Sequence, residues 1–393
     1  MDVADILLGR RQMSVSAAIR RTFDRFMGGR GEFSITVPVM DGALKPNDYL
    51  ERAASLAVVE GADNAVALGD KLLVSSGSRI LELGADGSGR IHSEHDAAIS
   101  CLAVSKGGAL VVGLDGVGVK IVGGRHDGML IDRVADDGLR CPTAAVFLDE
   151  DTLVVSNGSA EFTAAQWSHD LIHHGRSGSV VRLDLANGER VQLAAGLHFP
   201  AGLCLRQEAA EIVVAEAWRH RLVTLDANAQ SQPREMLAGL PAYPGRICQS
   251  YSGGYWLALF AVRSQLQEFV LRENRFRRQM IAEIDPAFWI APALSSGHSF
   301  KEPLQSGGVI RLGIHKPWAP TRSYGLVVRL DADLQPIWSA HSRADGTRHG
   351  ITSMAEVDGA LVATSKGKGE VVLIDHVALS EPLGLTMPTE HAA

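Results

Sequence analysis

Residues 99–122 read ISCLAVSKGGALVVGLDGVGVKIV. Three short apolar runs, rich in Val, Leu and Ile, are separated by Gly107-Gly108 and by Asp115-Gly116. Runs of this length and composition, bounded by turn formers, are strand signatures. The same unit recurs along the chain. It is found at 64–83 (NAVALGDKLLVSSGSRILEL) and at 143–159, resuming at 178 (TAAVFLDEDTLVVSNGS, then GSVVRLDLANG). It follows at 202–226 (GLCLRQEAAEIVVAEAWRHRLVTLD), from 246 with resumption at 324 (RICQSYSGGYWLALF, then YGLVVRLDADL), and at 351–375 (ITSMAEVDGALVATSKGKGEVVLID). With 99–122 that makes six copies of an apolar strand, a turn, a second strand, a turn and a third strand ending near Asp. Several strands per unit at a period of about 40–50 residues indicate a propeller, because one such sheet cannot bury both its faces alone. The expected fold is all-β: a six-bladed β-propeller, with two packed β-sandwich domains as the alternative.

Composition agrees and excludes other classes. The chain has 393 residues, 46% hydrophobic and 21% charged, which is globular rather than collagenous, disordered or coiled-coil. The 41 glycines against 15 prolines imply many tight turns. Lys and Arg total 38 against 45 Asp and Glu, and the main body shows no basic stripe, so a nucleic-acid partner is not expected. No apolar run approaches the ~20 residues of a membrane helix, so no membrane span is expected. The N-terminal residues lack the apolar core of a secretory signal, so a cytoplasmic location and reduced cysteines are expected. Cys101, Cys204 and Cys248 fall in the first strand of their copies and Cys141 just before one. They read as small buried groups at equivalent inner positions rather than a metal cluster.

Two copies are interrupted between their second and third strands, by residues 161–177 and by residues 261–323. Insertions at the same place in two blades lie at the same end of a propeller, where they would form a lid over the channel. The longer one combines helix-like stretches with a loop carrying Phe288, Trp289, Phe300 and Trp318. Domain bounds follow: an N-terminal helical extension and edge strand over 1–55, the propeller over 56–376 with its lid at 261–323, and a tail over 377–393. Within the extension, Val15, Ile19, Phe23, Phe26 and Met27 have helical spacing among several arginines. That is a pattern for packing on the propeller's flank, or for a membrane surface or partner. Residues 33–39 (FSITVPV) are expected to close the ring as an outer strand.

Several stretches resemble strictosidine synthase-like proteins, which belong with gluconolactonase-type and paraoxonase-type six-bladed propellers. They are HHGRSGSVVRLD at 173–184, GLHFPAGL at 196–203, LPAYPGRI at 240–247 followed by GGYWLA at 253–258, SYGLVVRLD at 323–331 and ITS…EVDG at 351–359. Residues 61–64 with 73–77 are similar to a paraoxonase segment, and the likeness extends over roughly 55–376. The resemblance implies a small-molecule enzyme, and for hydrolytic members a calcium ion on the axis. Of its four ligand positions, the early acid survives as Asp63, beside Asn64. The other three become Pro142-Thr143, Ala201 and Gly245-Arg246. A hard cation wants several converging oxygen ligands, so no cofactor is expected, and axial calcium is disfavoured. The glutamate base of plant strictosidine synthase corresponds to Thr352, so that condensing chemistry is not expected either.

The remaining polar residues at inner-strand starts and second-strand ends supply the candidates. Glu216, Asp63 and His349 are the expected acid–base groups; Asn64, Asn157, Arg246, Thr352 and Lys366, with His298 and Trp318 from the insert, are the expected substrate contacts. Arg246 with Asp63 reads either as a bidentate fork for a polar ligand or as an ion pair across the axis. Glu216 ends an apolar strand, where desolvation would raise its pKa, or it serves a blade-to-blade hydrogen bond. His169 and His173 have i, i+4 metal spacing but lack the glutamate of the zinc-protease motif, and the glycines at 113–118 sit in a hairpin rather than before a helix. Three functions remain open: metal-independent acid–base cleavage or rearrangement of a C–O or C–N bond, as in lactone or ester hydrolysis; a catalytically inactive binding or sensor propeller; and a protein-docking scaffold. The expected partner is a small-molecule substrate, and a homo-oligomer is left open.

Overall fold

Six antiparallel sheets of four strands follow one another in the computed structural model, which describes residues 37–134, 137–206, 210–228, 232–303, 310–311, 314–315 and 321–374. The inner strands are Ala62–Leu68, Ile99–Val104, Pro142–Phe147, Pro200–Arg206, Ala242–Gln249 and Ile351–Val357. Each packs against the next, and the sixth returns to the first, which closes a six-bladed β-propeller.

The near-continuous apolar runs have a direct cause. Both faces of every blade are covered, so successive side chains feed opposite neighbours. In the first blade Leu73 and Ile80 pack toward the second blade with Leu102, Leu110 and Val112, while Leu72 and Val74 pack toward the sixth with Ala355, Val362 and Val371. Equivalent cores fill every junction around the ring. The four cysteines are free thiols, three of them buried. Burial pushes Cys101 and Cys248 up to about 12, which makes them inert packing groups.

Each blade carries a fourth, outer strand that a three-strand reading of the repeat omits. Gly89–Glu94, largely exposed, and Arg234–Leu237, half of it exposed, are examples. The outer strand of the sixth blade is Ala54–Val58, which pairs antiparallel with Glu370–Ile374. This corrects the expectation for residues 33–39. Residues 33–36 lie outside the described residues, and Val37, Pro38 and Val39 are not strand. The basic helical pattern over 15–27 and the tail over 377–393 also lie outside them.

Residues 42–53 form an arm that leads into the closing strand and is fastened to the fifth and sixth blades. Asn47 Nδ2 donates to the Ser339 carbonyl at 2.9 Å, and Asn47 Oδ1 accepts from the His341 amide at 3.1 Å. Ser339 Oγ spends its proton on the Ala43 carbonyl at 2.6 Å. It therefore accepts from His341 Nε2 at 2.9 Å, and His341 Nδ1 accepts from the Tyr324 hydroxyl at 3.0 Å. The buried ring thus has a fixed neutral tautomer. Burial, with Arg343 nearby, lowers its pKa from 6.5 to about 4. Above pH 6.5 the ring is neutral in both folded and unfolded chains. As pH falls below 6.5 only the unfolded chain takes up the proton, so stability is lost down to about pH 4. This group alone is expected to remove about 3 kcal/mol across that window. Denaturant melts at a series of pH values check it, and His341→Gln should flatten the slope between pH 6.5 and 4.

The two insertions pack on each other. The third-blade insert holds the helix Trp167–His173, and the fifth-blade insert holds Gln265–Arg272 and Asn274–Glu283. The first of the latter starts at a capping box, in which Ser264 Oγ accepts from the Gln267 amide at 3.2 Å and Gln267 Oε1 accepts from the Ser264 amide at 3.1 Å. Ile172, Val270, Met280, Trp289 and Ala291 form the core between the inserts, and His169 lies edge-on to Trp289 at 4.7 Å.

Candidate functional site at the axial mouth

All six inner strands break register at the same place, near their first residues. The ladder skips Asp63-Asn64, Ser100, Thr143, Ala201, Gly245-Arg246 and Thr352. Bulges release backbone groups from the ladder and re-aim side chains, and here six of them ring one end of the axis. The sequence candidates Asp63, Asn64, Arg246 and Thr352 are all bulge residues.

Arg246 spans this ring. Its Nη1 donates to Asp63 Oδ1 at 2.8 Å and to the Thr352 carbonyl at 3.0 Å, and its Nη2 donates to the Ser100 carbonyl at 2.5 Å. One guanidinium from the fifth blade thus ties the first, second and sixth. Lys366 Nζ donates to the other carboxylate oxygen of Asp63 at 2.6 Å. Thr352 Oγ1 and Thr364 Oγ1 donate to the Asp63 carbonyl at 2.7 and 2.9 Å. Burial alone would raise the Asp63 pKa; the charges of Arg246 and Lys366 win and hold it well below the usual carboxylate range. Arg246 is therefore committed to protein oxygens rather than offered as a fork, and Asp63 is a saturated carboxylate rather than a free base. Lys366 keeps 37% of its side chain exposed and has donors to spare.

Lys366 leads to His349 through the backbone. The Lys366 amide donates to the Gly350 carbonyl at 3.0 Å, and Ser365 Oγ donates to the His349 carbonyl at 2.8 Å. His349 Nε2 faces the Arg343 carbonyl at 2.8 Å, an acceptor only, so that nitrogen carries the proton. Nδ1 then accepts from Ser323 Oγ at 2.7 Å, and Ser323 Oγ accepts in turn from Ser296 Oγ. The result is a one-way chain of hydroxyls from the partly exposed Ser296, through the buried Ser323, to a buried neutral imidazole. Burial lowers the His349 pKa below 6.5 against the pull of the Arg343 carbonyl, Glu51 and Asp345. The fifth-blade insert delivers Ser296 by passing close over the sixth blade, where a Cβ on Gly367 would lie 1.9 Å from the Leu294 carbonyl oxygen.

The other candidates lie apart from this chain. Glu216 is buried, but its Oε2 accepts from Arg221 Nε at 2.6 Å and its Oε1 from the His198 amide at 2.8 Å. Arg221 stands directly opposite it across a hairpin, so the pair ties strands of the fourth blade and Glu216 is not a free acid or base. Asn157 Oδ1 accepts from the Cys141 amide at 2.8 Å. Asn64 is held to Ser75 Oγ at 2.9 Å. His298 is exposed, 3.0 Å from Ser295 Oγ, one residue beyond Gly297 from Ser296. Trp318 lies outside the described residues. Across the mouth, the third-to-fifth-blade side is apolar: Phe199, Ala201, Tyr243 and Phe260 pack with Trp167, Leu171, Leu271 and Leu294 of the inserts. Within this roof Asp170 accepts from Trp218 Nε1 at 2.6 Å, and burial raises its pKa. Ser296, Ser323 and Asp170 were not among the candidates of the sequence.

An axial calcium does not fit these residues. Asp63 is the single carboxylate of the ring, and two cationic side chains already occupy it. Among the described residues no three His, Cys, Asp or Glu side chains come together as metal ligands. Nor is any helix among them long and apolar enough to cross a membrane.

Known proteins resemble this chain in part of its sequence and in its fold. A family profile described as strictosidine synthase matches residues 145–225, the third and fourth blades. Strictosidine synthase-like protein 10 of Arabidopsis thaliana is 22% identical over 129 residues, 33% of this chain and 34% of that protein. An adipocyte plasma membrane-associated protein of Danio rerio is 26% identical over 117 residues, 29% of this chain and 28% of that protein. The matched part thus spans about a third of these relatives' own length. Among solved structures, a gluconolactonase from Xanthomonas campestris superposes with a TM-score of 0.53 at 13% identity, covering 86% of this chain and 96% of that one. That likeness is one of fold. The chain is a six-bladed β-propeller whose third and fourth blades resemble strictosidine synthase-like proteins in sequence.

Proposed function

We propose that this chain is a small-molecule enzyme that cleaves an ester or lactone C–O bond without a metal, at the mouth between its fifth and sixth blades. The observation that carries the reading is the directed chain Ser296–Ser323–His349, which ends on a partly exposed serine. Ser296 Oγ attacks the substrate carbonyl carbon while its proton passes through Ser323 Oγ to His349 Nδ1. The C–O bond to the leaving alcohol then breaks, and that oxygen recovers the proton by the same route. Water repeats the sequence to release the acid and restore Ser296. His349 is the general base, its ring oriented by the Arg343 carbonyl, and burial lowers its pKa in favour of the neutral form. Lys366 supplies positive charge beside the same loop for an anionic group of the substrate. The gluconolactonase fold likeness supports a hydrolase-like reading at the level of class.

A second reading is a binding propeller without turnover. It is favoured by the saturation of Asp63 by Arg246 and Lys366 and of Glu216 by Arg221. The deciding assay is release of acid from a panel of small esters and lactones, in the presence of chelator, by the parent and by Ser296→Ala, Ser323→Ala and His349→Asn. Turnover lost in all three supports the enzyme. Turnover unaffected by all three refutes this site. Absence of turnover together with a ligand-dependent rise in melting temperature supports the binder.

A further inference from the structure

The ring of bulges poses an electrostatic problem that is independent of any reaction. Each bulge withdraws backbone from the ladder, and the carbonyls of Asp63, Ser100 and Thr352 turn to one place, with the Asp63 carboxylate among them. A cluster of oxygens in a buried site demands positive charge or donors. Arg246 Nη1 stands where these oxygens converge, 2.8 Å from Asp63 Oδ1, 3.0 Å from the Thr352 carbonyl and 3.4 Å from the Asp63 carbonyl. Lys366 completes the neutralisation. One carboxylate with two monovalent cations leaves a local charge of +1, the charge the same carboxylate would leave with one divalent cation.

We infer that Arg246 and Lys366 are this chain's built-in replacement for a divalent cation on the propeller axis, and that removing both uncovers an oxygen site for a hard cation. Two side-chain oxygens of the same bulges also lack a partner. Asn64, next to Asp63, and Ser100, whose carbonyl accepts from Arg246, each bury a side-chain oxygen with no hydrogen-bond partner. Carboxylate, carbonyl, amide and hydroxyl oxygens are the ligand types calcium takes. In the parent chain the guanidinium is covalently attached, so the axis is cross-tied at any metal concentration.

The test uses the full-length chain, calcium and terbium as probes, and melting temperature and elemental analysis as readouts. The parent should retain no stoichiometric divalent metal after dialysis, and its melting temperature should not move with chelator or with added calcium. The double variant R246Q/K366Q should melt lower, and calcium at a hundred times its Kd should raise the melting temperature by about 5 °C, with sensitised terbium emission appearing at the same time. R246K keeps a cation at this position and should show no calcium response. Stoichiometric metal in the parent, or a chelator-induced fall in its melting temperature, overturns the inference. So does a folded double variant that ignores calcium, because the pair would then be an ordinary ion pair. If the double variant is insoluble, refolding it with and without calcium decides: recovery only with calcium supports the inference and no recovery with calcium overturns it.

Discussion

Under the proposed mechanism, replacing His349 by asparagine is expected to lower ester or lactone hydrolysis by about 10²–10⁴-fold, the usual contribution of a general base. The size follows from the wiring. Nε2 is fixed as donor by the Arg343 carbonyl, so Nδ1 is the one acceptor at the end of the chain, and Ser323 can give its proton nowhere else without reversing that bond. Asparagine preserves polarity but cannot hold a proton. The fold should survive, because the cost is confined to one buried hydrogen-bonded group, and circular dichroism and melting curves check this. Ser323→Ala interrupts the relay without touching either end and should reproduce most of the loss. The pH–rate profile separates a base from a merely structural ring. Because burial depresses the His349 pKa below 6.5, the acid limb of kcat/KM should lie below that of an exposed histidine and should vanish in the Asn variant. A limb that persists in the variant would assign the base to another residue.

Replacing Arg348 by alanine is expected to cost about 3–5 kcal/mol and to lower the melting temperature by roughly 6–10 °C. Arg348 is the latch between the arm and the sixth blade. Its Nε and Nη2 form a fork on Glu370 at 3.0 and 3.2 Å, and its Nη1 donates to the carbonyls of Leu50, Glu51 and Ala53. Both partners of the ion pair are nearly buried, at 12% and 10% exposure, so truncation takes the fork from the Glu370 carboxylate and one donor from each of three carbonyls. Arg348→Lys should lose less than alanine but more than a surface exchange, because a single ammonium cannot reproduce the fork. Differential scanning calorimetry tests this; a variant melting within about 1 °C of the parent would show that closure does not rest on this latch.

What could be read from the sequence, and what could not, follows burial. Tyr255–Val262 is buried at every residue, and such strands announce themselves because both their faces lie in cores. The outer strands carry no such mark: Gly89–Glu94 is exposed at five of six residues. Residues 33–39 read as a strand fit to close the ring, whereas the role of Ala54–Val58 depends on pairing with a strand more than 300 residues away. Asp63 with Arg246 was legible from their places in the repeat. Glu216 carried two readings, an acid–base group or a structural hydrogen bond, and the local signal for its partner lies in EAWRHR, where the arginine returns opposite the glutamate across a tight turn. The serines gave no signal. Ser296 lies in an insertion without period, and its meeting with Ser323 and His349 depends on the path of that insertion over the sixth blade.

The closing strand also sets an order of assembly. Ala54–Val58 is synthesised first among the blade strands, yet its hydrogen-bonding partner Glu370–Ile374 is the last to emerge from the ribosome. Until then five complete blades can stack, but the ring stays open with two unpaired edges, one at each side of the seam. Contacts of such large sequence separation form slowly, and open edges are templates for pairing between chains. A nascent chain stalled before residue 370 is therefore the species most prone to associate with its own kind. A circular permutant that places Ala54–Val58 directly after Ile374 would turn the slowest contact into a local hairpin.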